Sequence, residues 1–87
     1  MPYIKQDAKD RLANGGQPEN AGELNYWITL AVIHYIENLG LSYAHINDVV
    51  GALTGAREEF YRRVAIPYED RKANINGDVY PAELVGK

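Results

Sequence analysis

The fold is decided by residues 21–40, AGELNYWITLAVIHYIENLG, and by the signals on either side of them. Asn20 is a residue type that commonly caps the start of a helix, and Gly40 is a typical stop after the last turn. Apolar side chains point in nearly every direction around the segment between these two residues. Such a helix is normally buried on more than one side, so we expect residues 21–39 to pack against several neighbours.

A second helix is predicted over residues 43–66, with Ser42 as its N-cap. Small residues four apart, Gly51 and Gly55, let another helix approach closely on one side. This small-residue surface is equally consistent with an interface between subunits and with packing against the first helix. The apolar positions form a separate stripe at helical spacing, made of Ile46, Val49, Val50, Leu53, Phe60 and Val64.

Both ends of the chain are more irregular. Residues 1–20 form a polar lead-in that has room for one short helix over 5–12. Pro67 removes a helical hydrogen bond, so the second helix is expected to end or kink there. Residues 67–87 are therefore predicted as a kinked or extended tail, in which a further helical piece over 68–74 is an alternative. The whole chain of 87 residues is expected to be one helical domain.

The distribution of charge is the strongest physical clue. Between Glu23 and Arg57 the only formally charged residues are Glu37 and Asp48. Two helices so poor in charge do not suit an isolated hairpin, which leaves each helix a face in water; burial against other copies is the simplest remedy. The predicted fold is all-α, an antiparallel helical hairpin with irregular termini assembled into a homo-oligomeric helical bundle.

Composition narrows the function classes. The chain has no cysteine, which excludes disulfides and thiolate metal sites, and its net charge of −3 argues against a general nucleic-acid coat. No apolar run approaches the roughly 20 residues that span a bilayer, and the first residues lack an apolar signal core. We therefore expect a cytoplasmic protein that has no membrane partner.

Arg57 is the most informative single residue, because helical spacing places it inside the apolar stripe of the second helix. An unpaired buried guanidinium is costly, so we expect an intersubunit ion pair, a side chain that reaches the stripe's edge, or an anionic ligand. The stretch that follows is rich in charge and allows two pairs at four-residue spacing, Glu58 with Arg62 and Glu59 with Arg63.

The same stretch also has an alternative interpretation as an anion site. Arginines would hold phosphate or carboxylate, and tyrosines would stack on a base. A solvated, internally paired helix face is the simpler explanation of the charges. The candidate ligand-binding residues are Arg57, Tyr61, Arg62, Arg63 and Tyr68, with Asn25 and Asn47.

Catalysis and metal binding find little support in the sequence. His34 and His45 each have an acidic residue three positions later, but this spacing alone is not a metal signature. Ser42, the one serine, is better used as a helix cap, and no glycine-rich phosphate loop is present. We expect a protein that is not an enzyme and that has no metal site and no cofactor.

Strings such as Glu59-Phe60-Tyr61-Arg62-Arg63-Val64 and Asn76-Gly77-Asp78-Val79-Tyr80 resemble those of a family of short phage, prophage and bacterial proteins catalogued as a domain of unknown function. The family pattern also has a basic residue at Arg57 but more often an apolar one at Glu58, so the Glu58–Arg62 pair is not a shared feature. The resemblance covers nearly the whole chain and implies a phage or prophage source, without an activity to carry over. The most specific strings are Glu59-Phe60-Tyr61-Arg62-Arg63-Val64, Pro67-Tyr68-Glu69-Asp70 and Asn76-Gly77-Asp78-Val79-Tyr80; weaker ones are Pro2-Tyr3-Ile4-Lys5-Gln6 and Gly22-Glu23-Leu24-Asn25-Tyr26.

Two functions are expected from these observations. The first is a phage-type homo-oligomer that holds a small anionic ligand at subunit junctions, by analogy with sequestration of cyclic-nucleotide immune signals. The alternative is a structural or regulatory module that binds a host or phage protein and has no small-molecule ligand. Direct DNA binding is disfavoured because local carboxylates largely cancel the basic residues.

Overall fold

The computed structural model describes residues 1–86, and over that range every regular element is helical. The predicted all-α class is therefore confirmed. The chain divides into two compact units, Met1–Val49 and Val50–Lys87, and the boundary falls inside the third helix. The helices are α1 Gln6–Ala13, α2 Ala21–Leu39, α3 Tyr43–Phe60, a π-helical segment Tyr61–Ala65, α4 Ile66–Asn76 and α5 Ala82–Val85.

Helix α2 starts and stops where its capping residues predict. The Asn20 side-chain oxygen accepts a hydrogen bond from the Glu23 backbone N–H at 2.9 Å, which satisfies one of the free donors of the first turn. Gly40 follows the helix with a φ of 89°, a conformation that costs a residue with a Cβ atom considerably more than glycine. These two ends fix the length of the apolar helix.

The first unit is held together at the point where α1 meets the start of α2. The Arg11 guanidinium donates to the Gln17 backbone oxygen at 2.6 Å and to the Glu23 carboxylate. Leu12 beside it is 7% exposed and Glu23 is 8% exposed. Among residues 1–86, Leu12 is the one apolar side chain that is buried, so this junction contains nearly all of the core that the chain itself provides.

The turn between α2 and α3 is fixed by polar contacts. Ser42 caps α3, since its hydroxyl accepts from the His45 backbone N–H at 3.2 Å. The His45 ring donates through Nδ1 to the Gly40 carbonyl at 2.6 Å, and the Tyr35 hydroxyl donates to the Asp48 carboxylate at 2.7 Å. These bonds connect the end of α2 with the first turns of α3 inside Met1–Val49.

In the second unit the helix does not end at Pro67. The widened turn of Tyr61–Ala65 precedes it, with the Ile66 N–H bonded to the Tyr61 carbonyl five residues back. Pro67 is the second residue of α4, and the chain passes it without leaving helical geometry because the wider turn comes just before it. Helix α4 continues to Asn76, so the helical piece given as an alternative over 68–74 is present and this part of the tail is not extended. Helix α5 adds a further short turn.

No helix within residues 1–86 combines the length and the apolar character that crossing a membrane requires.

Candidate binding surface

The predicted ligand residues are divided between the two units. Arg57 lies in the last turn of α3, three others lie in the π-helical segment, and Tyr68 lies in the first turn of α4. All of these side chains are exposed. Asn25 and Asn47 belong to the first unit and are also exposed. The second-unit residues Arg57, Tyr61, Arg62, Arg63 and Tyr68 are called the arginine–tyrosine segment below.

Arg57 stacks on an aromatic ring instead of being buried. Its guanidinium carbon lies 4.7 Å from the centre of the Tyr61 ring, one helical turn further on. A cation–π contact of this exposed kind contributes about 0.5–1 kcal/mol. Within residues 1–86 Arg57 has no ion-pair partner, so its guanidinium donors remain available to an anion or to another subunit.

The ion pairs in this segment differ from those predicted. Arg62 contacts the Glu59 carboxylate through two nitrogens, at 2.9 and 3.3 Å from Oε2, three residues apart. This pair joins the last turn of α3 to the start of the π-helical segment. The described residues contain neither the Glu58–Arg62 nor the Glu59–Arg63 pair, and Arg63 has no carboxylate partner among them.

Tyr68 has cationic neighbours that the sequence did not single out. The Arg71 and Lys72 side chains each lie 5.7 Å from the centre of its ring. Their spacing of three and four residues after an aromatic residue is the signal that would have found them. Arg57 and Tyr68 are eleven residues apart, about 16 Å along a helix, so the segment does not form one compact pocket.

The two asparagines have different surroundings. The Thr29 hydroxyl donates to the Asn25 backbone oxygen at 2.8 Å and lies 3.3 Å from its side-chain oxygen. Asn47 is exposed in the second turn of α3. Their roles as ligand contacts therefore stay predictions.

The polar cluster at Glu23 is the feature that sequence reasoning missed. The hydrogen bond from Arg11 lowers the pKa of the Glu23 carboxyl, and the Glu19 backbone N–H and the Asn20 side chain add to this effect. The same bond raises the pKa of Arg11. The Asn20-x-x-Glu23 spacing resembles a capping box, but the pattern gives no sign of Arg11, which lies twelve residues earlier.

A second group with a shifted pKa, the Tyr35 hydroxyl, lies near the end of α2. Its hydrogen bond to Asp48 raises the pKa of the Tyr35 hydroxyl, and desolvation acts in the same direction. The Tyr35 ring also meets the His45 ring edge-on, with centres 6.2 Å apart. Both contacts join the last turns of α2 to the first turns of α3.

Of the shallow cavities on the described surface, two bear on what the protein could bind. One, of about 530 Å³, lies between α4 and the residues that follow it, and its walls carry Glu69, Asp70 and Asp78 against a single cation, Lys72. That balance does not favour an anion. The other, of about 410 Å³, lies along α2 and is lined almost entirely by carbon, from Trp27, Ile28, Leu30, Ala31 and His34.

Within the part of the chain that the structure describes, no three histidine, aspartate or glutamate side chains are placed to hold a metal ion. The arrangement that remains is one of exposed cations, tyrosine rings and apolar helix faces.

Comparison with known proteins gives one match. The model of a family described as Domain of unknown function (DUF6899) matches residues 1–79. No curated protein and no solved structure matches the chain. Since the match extends over most of the 87 residues, the chain belongs to the DUF6899 family.

Proposed function

We propose that this protein is a non-enzymatic binding protein that acts as a homo-oligomer. The observation that supports it is the exposure of apolar side chains on different sides of α2: Trp27 is 46% exposed and Ile33 is 43% exposed. Side chains of this size stabilise a small domain only when they are buried, each by about 1.5–3 kcal/mol. A chain that buries one apolar side chain among its described residues needs further protein to cover the others.

The amount of surface supports the same proposal. The chain exposes 7248 Å², whereas a monomeric protein of 9.8 kDa exposes about 5200 Å². The difference is about 2000 Å² per chain, or about 4000 Å² for a pair, which lies in the range that obligate homodimers bury. Copies of the chain are the partners that are present wherever the protein is made.

For the ligand we propose a small anion held by the arginine–tyrosine segment, with a cyclic nucleotide as the leading class. Arg57 and Arg63 lack carboxylate partners in the described chain, and Tyr61 and Tyr68 offer exposed rings beside cations. Arginine binds phosphate through two parallel hydrogen bonds, and an aromatic ring stacks on a base. Sequestration of a host immune signal in the cytoplasm of an infected cell is the role that we propose for such binding.

Two measurements test this proposal in sequence. Native mass spectrometry of freshly purified protein reports the subunit number and any co-purified ligand. Isothermal titration with cyclic di- and trinucleotides should then show binding heat. The variant Arg57→Gln should bind the same nucleotide with at least tenfold lower affinity. Lys5→Gln is the matched control, since it removes an exposed cation from the first unit and should bind as the parent does. No heat with any of these nucleotides would contradict the ligand assignment.

A protein–protein interaction module without a small ligand is the second candidate. The bidentate Arg62–Glu59 pair favours it, because this arginine is already occupied by a carboxylate of its own helix. Pull-down from infected cells should then recover one stoichiometric partner, and the Arg57→Gln variant should keep that partner.

A further inference from the structure

The most sharply defined unpartnered surface is a stripe along α2. Its lining residues, Trp27, Ile28, Leu30, Ala31 and His34, form the shallow cavity of about 410 Å³ described above. Helical spacing places Trp27, Ala31 and His34 in one line, since they follow one another at intervals of four and three residues. Residues 24–36 carry no formally charged side chain, so about 20 Å of helix contributes no charge to this stripe.

We propose that a second copy of the chain docks on this stripe, with its own α2 antiparallel to the first and a two-fold axis passing near Ala31. This inference rests on the proposed homo-oligomer and names the surface that forms it. Helix axes approach most closely where the side chains are smallest, and Ala31 is the smallest residue of the stripe. A two-fold axis there places Trp27 of each copy against the partner's His34.

The stripe suits a copy of itself better than a different partner. A two-fold interface must be self-complementary, and this stripe has a small centre with a large ring on either side of it, four and three residues away. Because residues 24–36 bear no charge, they repel no identical residues across the axis, and they offer no charge for a partner of opposite sign. The stripe supplies part of the roughly 4000 Å² that a pair has in excess over two compact monomers, and a standard stable interface buries about 1200–2000 Å².

Cysteine cross-linking tests the axis directly, because the chain has no cysteine of its own. In the variant Ala31→Cys the two new thiols lie beside the axis, so mild oxidation with oxidised glutathione should convert most of the protein into a covalent dimer. Glu37→Cys is the matched control. Glu37 is also exposed on α2 but lies about 120° around the helix from Ala31, so it should stay largely uncross-linked.

A charge variant gives an independent measurement. Ala31→Arg should lower the mass seen by native mass spectrometry, whereas Glu37→Arg should leave it unchanged. If the parent is oligomeric but Ala31→Cys does not cross-link, or if Ala31→Arg keeps the full mass, the stripe is not the interface while the proposed function stands. If the parent chain is a folded monomer, both the proposed interface and the proposed homo-oligomer are wrong. If Ala31→Arg does not fold, the cross-linking of Ala31→Cys still decides whether the stripe is the interface, because cysteine is a much smaller change.

Discussion

At the scale of single residues, Arg11 determines how the start of the chain is arranged. Its guanidinium connects the Gln17 carbonyl with the carboxylate of Glu23, which is itself buried. A buried carboxylate is unfavourable unless a cation and hydrogen-bond donors surround it, and Arg11, Asn20 and the Glu19 N–H supply both. The junction is therefore a polar latch that holds α1 against α2.

The stability of this latch should depend on pH. The pKa of Glu23 is lowered in the folded chain, so its contribution is present above the unfolded value of about 4.3 and is lost as the pH falls through the lower folded pKa. Glu23→Gln should release α1 at neutral pH, seen as severalfold faster amide hydrogen exchange across Gln6–Ala13. Glu19→Gln is the control, because Glu19 is exposed and 3.5 Å from Arg11, and it should have little effect. Unchanged exchange in Glu23→Gln would contradict the latch.

Tyr35 should show the opposite dependence on pH. Its pKa is raised because the protonated hydroxyl donates to Asp48, so this stabilisation is complete below the unfolded value of about 10 and is lost as the pH rises through the higher folded pKa. In Asp48→Asn the pKa of Tyr35 should fall toward about 10. A carbon-13 titration of labelled tyrosines measures this, with Tyr35→Phe to identify the resonance. The same titration midpoint in parent and variant would exclude the contact in solution.

At the scale of elements, Pro67 accounts for the π-helical segment. In a continuous α-helix the ring of Pro67 would clash with the carbonyl of Arg63, and that carbonyl would lack its donor. The wider turn over Tyr61–Ala65 ends just before Ile66 and lets the chain continue into α4. It also sets the direction of Arg62 and Arg63, and π-bulges are common at functional sites.

Pro67→Ala should therefore convert this segment into α-helix. The restored N–H can donate to the Arg63 carbonyl. The gain of about 3 kcal/mol for replacing an interior proline is offset by about 0.4–1 kcal/mol from a more flexible unfolded chain, which leaves about 2–2.5 kcal/mol. The melting temperature should rise at equal protein concentration, and the Ile66 amide should exchange as an α-helical one. Pro81→Ala, before α5, is the control that should change little. A lower melting temperature would contradict this account of the turn.

How far the sequence predicts these elements depends on whether the deciding contact is local. Asn20, Gly40 and Ser42 act within a turn of their own positions, so residue type alone bounds α2 and begins α3. At Pro67 the sequence predicted either a kink or the end of the helix. It could not decide between them, because a π-helical turn that accommodates proline has no residue pattern of its own. Its effect on Arg62 and Arg63 was hidden for the same reason.

The candidate site was predictable only in part. The residue types of the arginine–tyrosine segment suggest an anion site, and the Arg57–Tyr61 contact follows from their four-residue spacing. Arg11 could not be found in the same way, because its bond to Glu23 closes a twelve-residue separation that no periodic pattern records. The bundle expected from charge-poor helices depends on contacts between copies, and both the bundle and the hairpin stay predictions.

At the scale of the whole molecule, the apolar content of the chain is far larger than the apolar surface that the chain buries. The chain has the apolar content of a folded domain, 46% of its residues, yet among residues 1–86 it buries one apolar side chain. A folded chain of this size keeps only a few kcal/mol in reserve, so exposing so much apolar surface to water is not a stable arrangement. We propose that assembly with copies of itself covers that surface, which would require no second gene product.

Sedimentation equilibrium of the parent chain at micromolar concentration is the most direct test of this claim. The account predicts a mass that is a whole multiple of the 9.8 kDa chain, with helical circular dichroism that is lost together with the assembly on dilution or heating. A well-folded species of 9.8 kDa, with cooperative unfolding that does not depend on concentration, would contradict it.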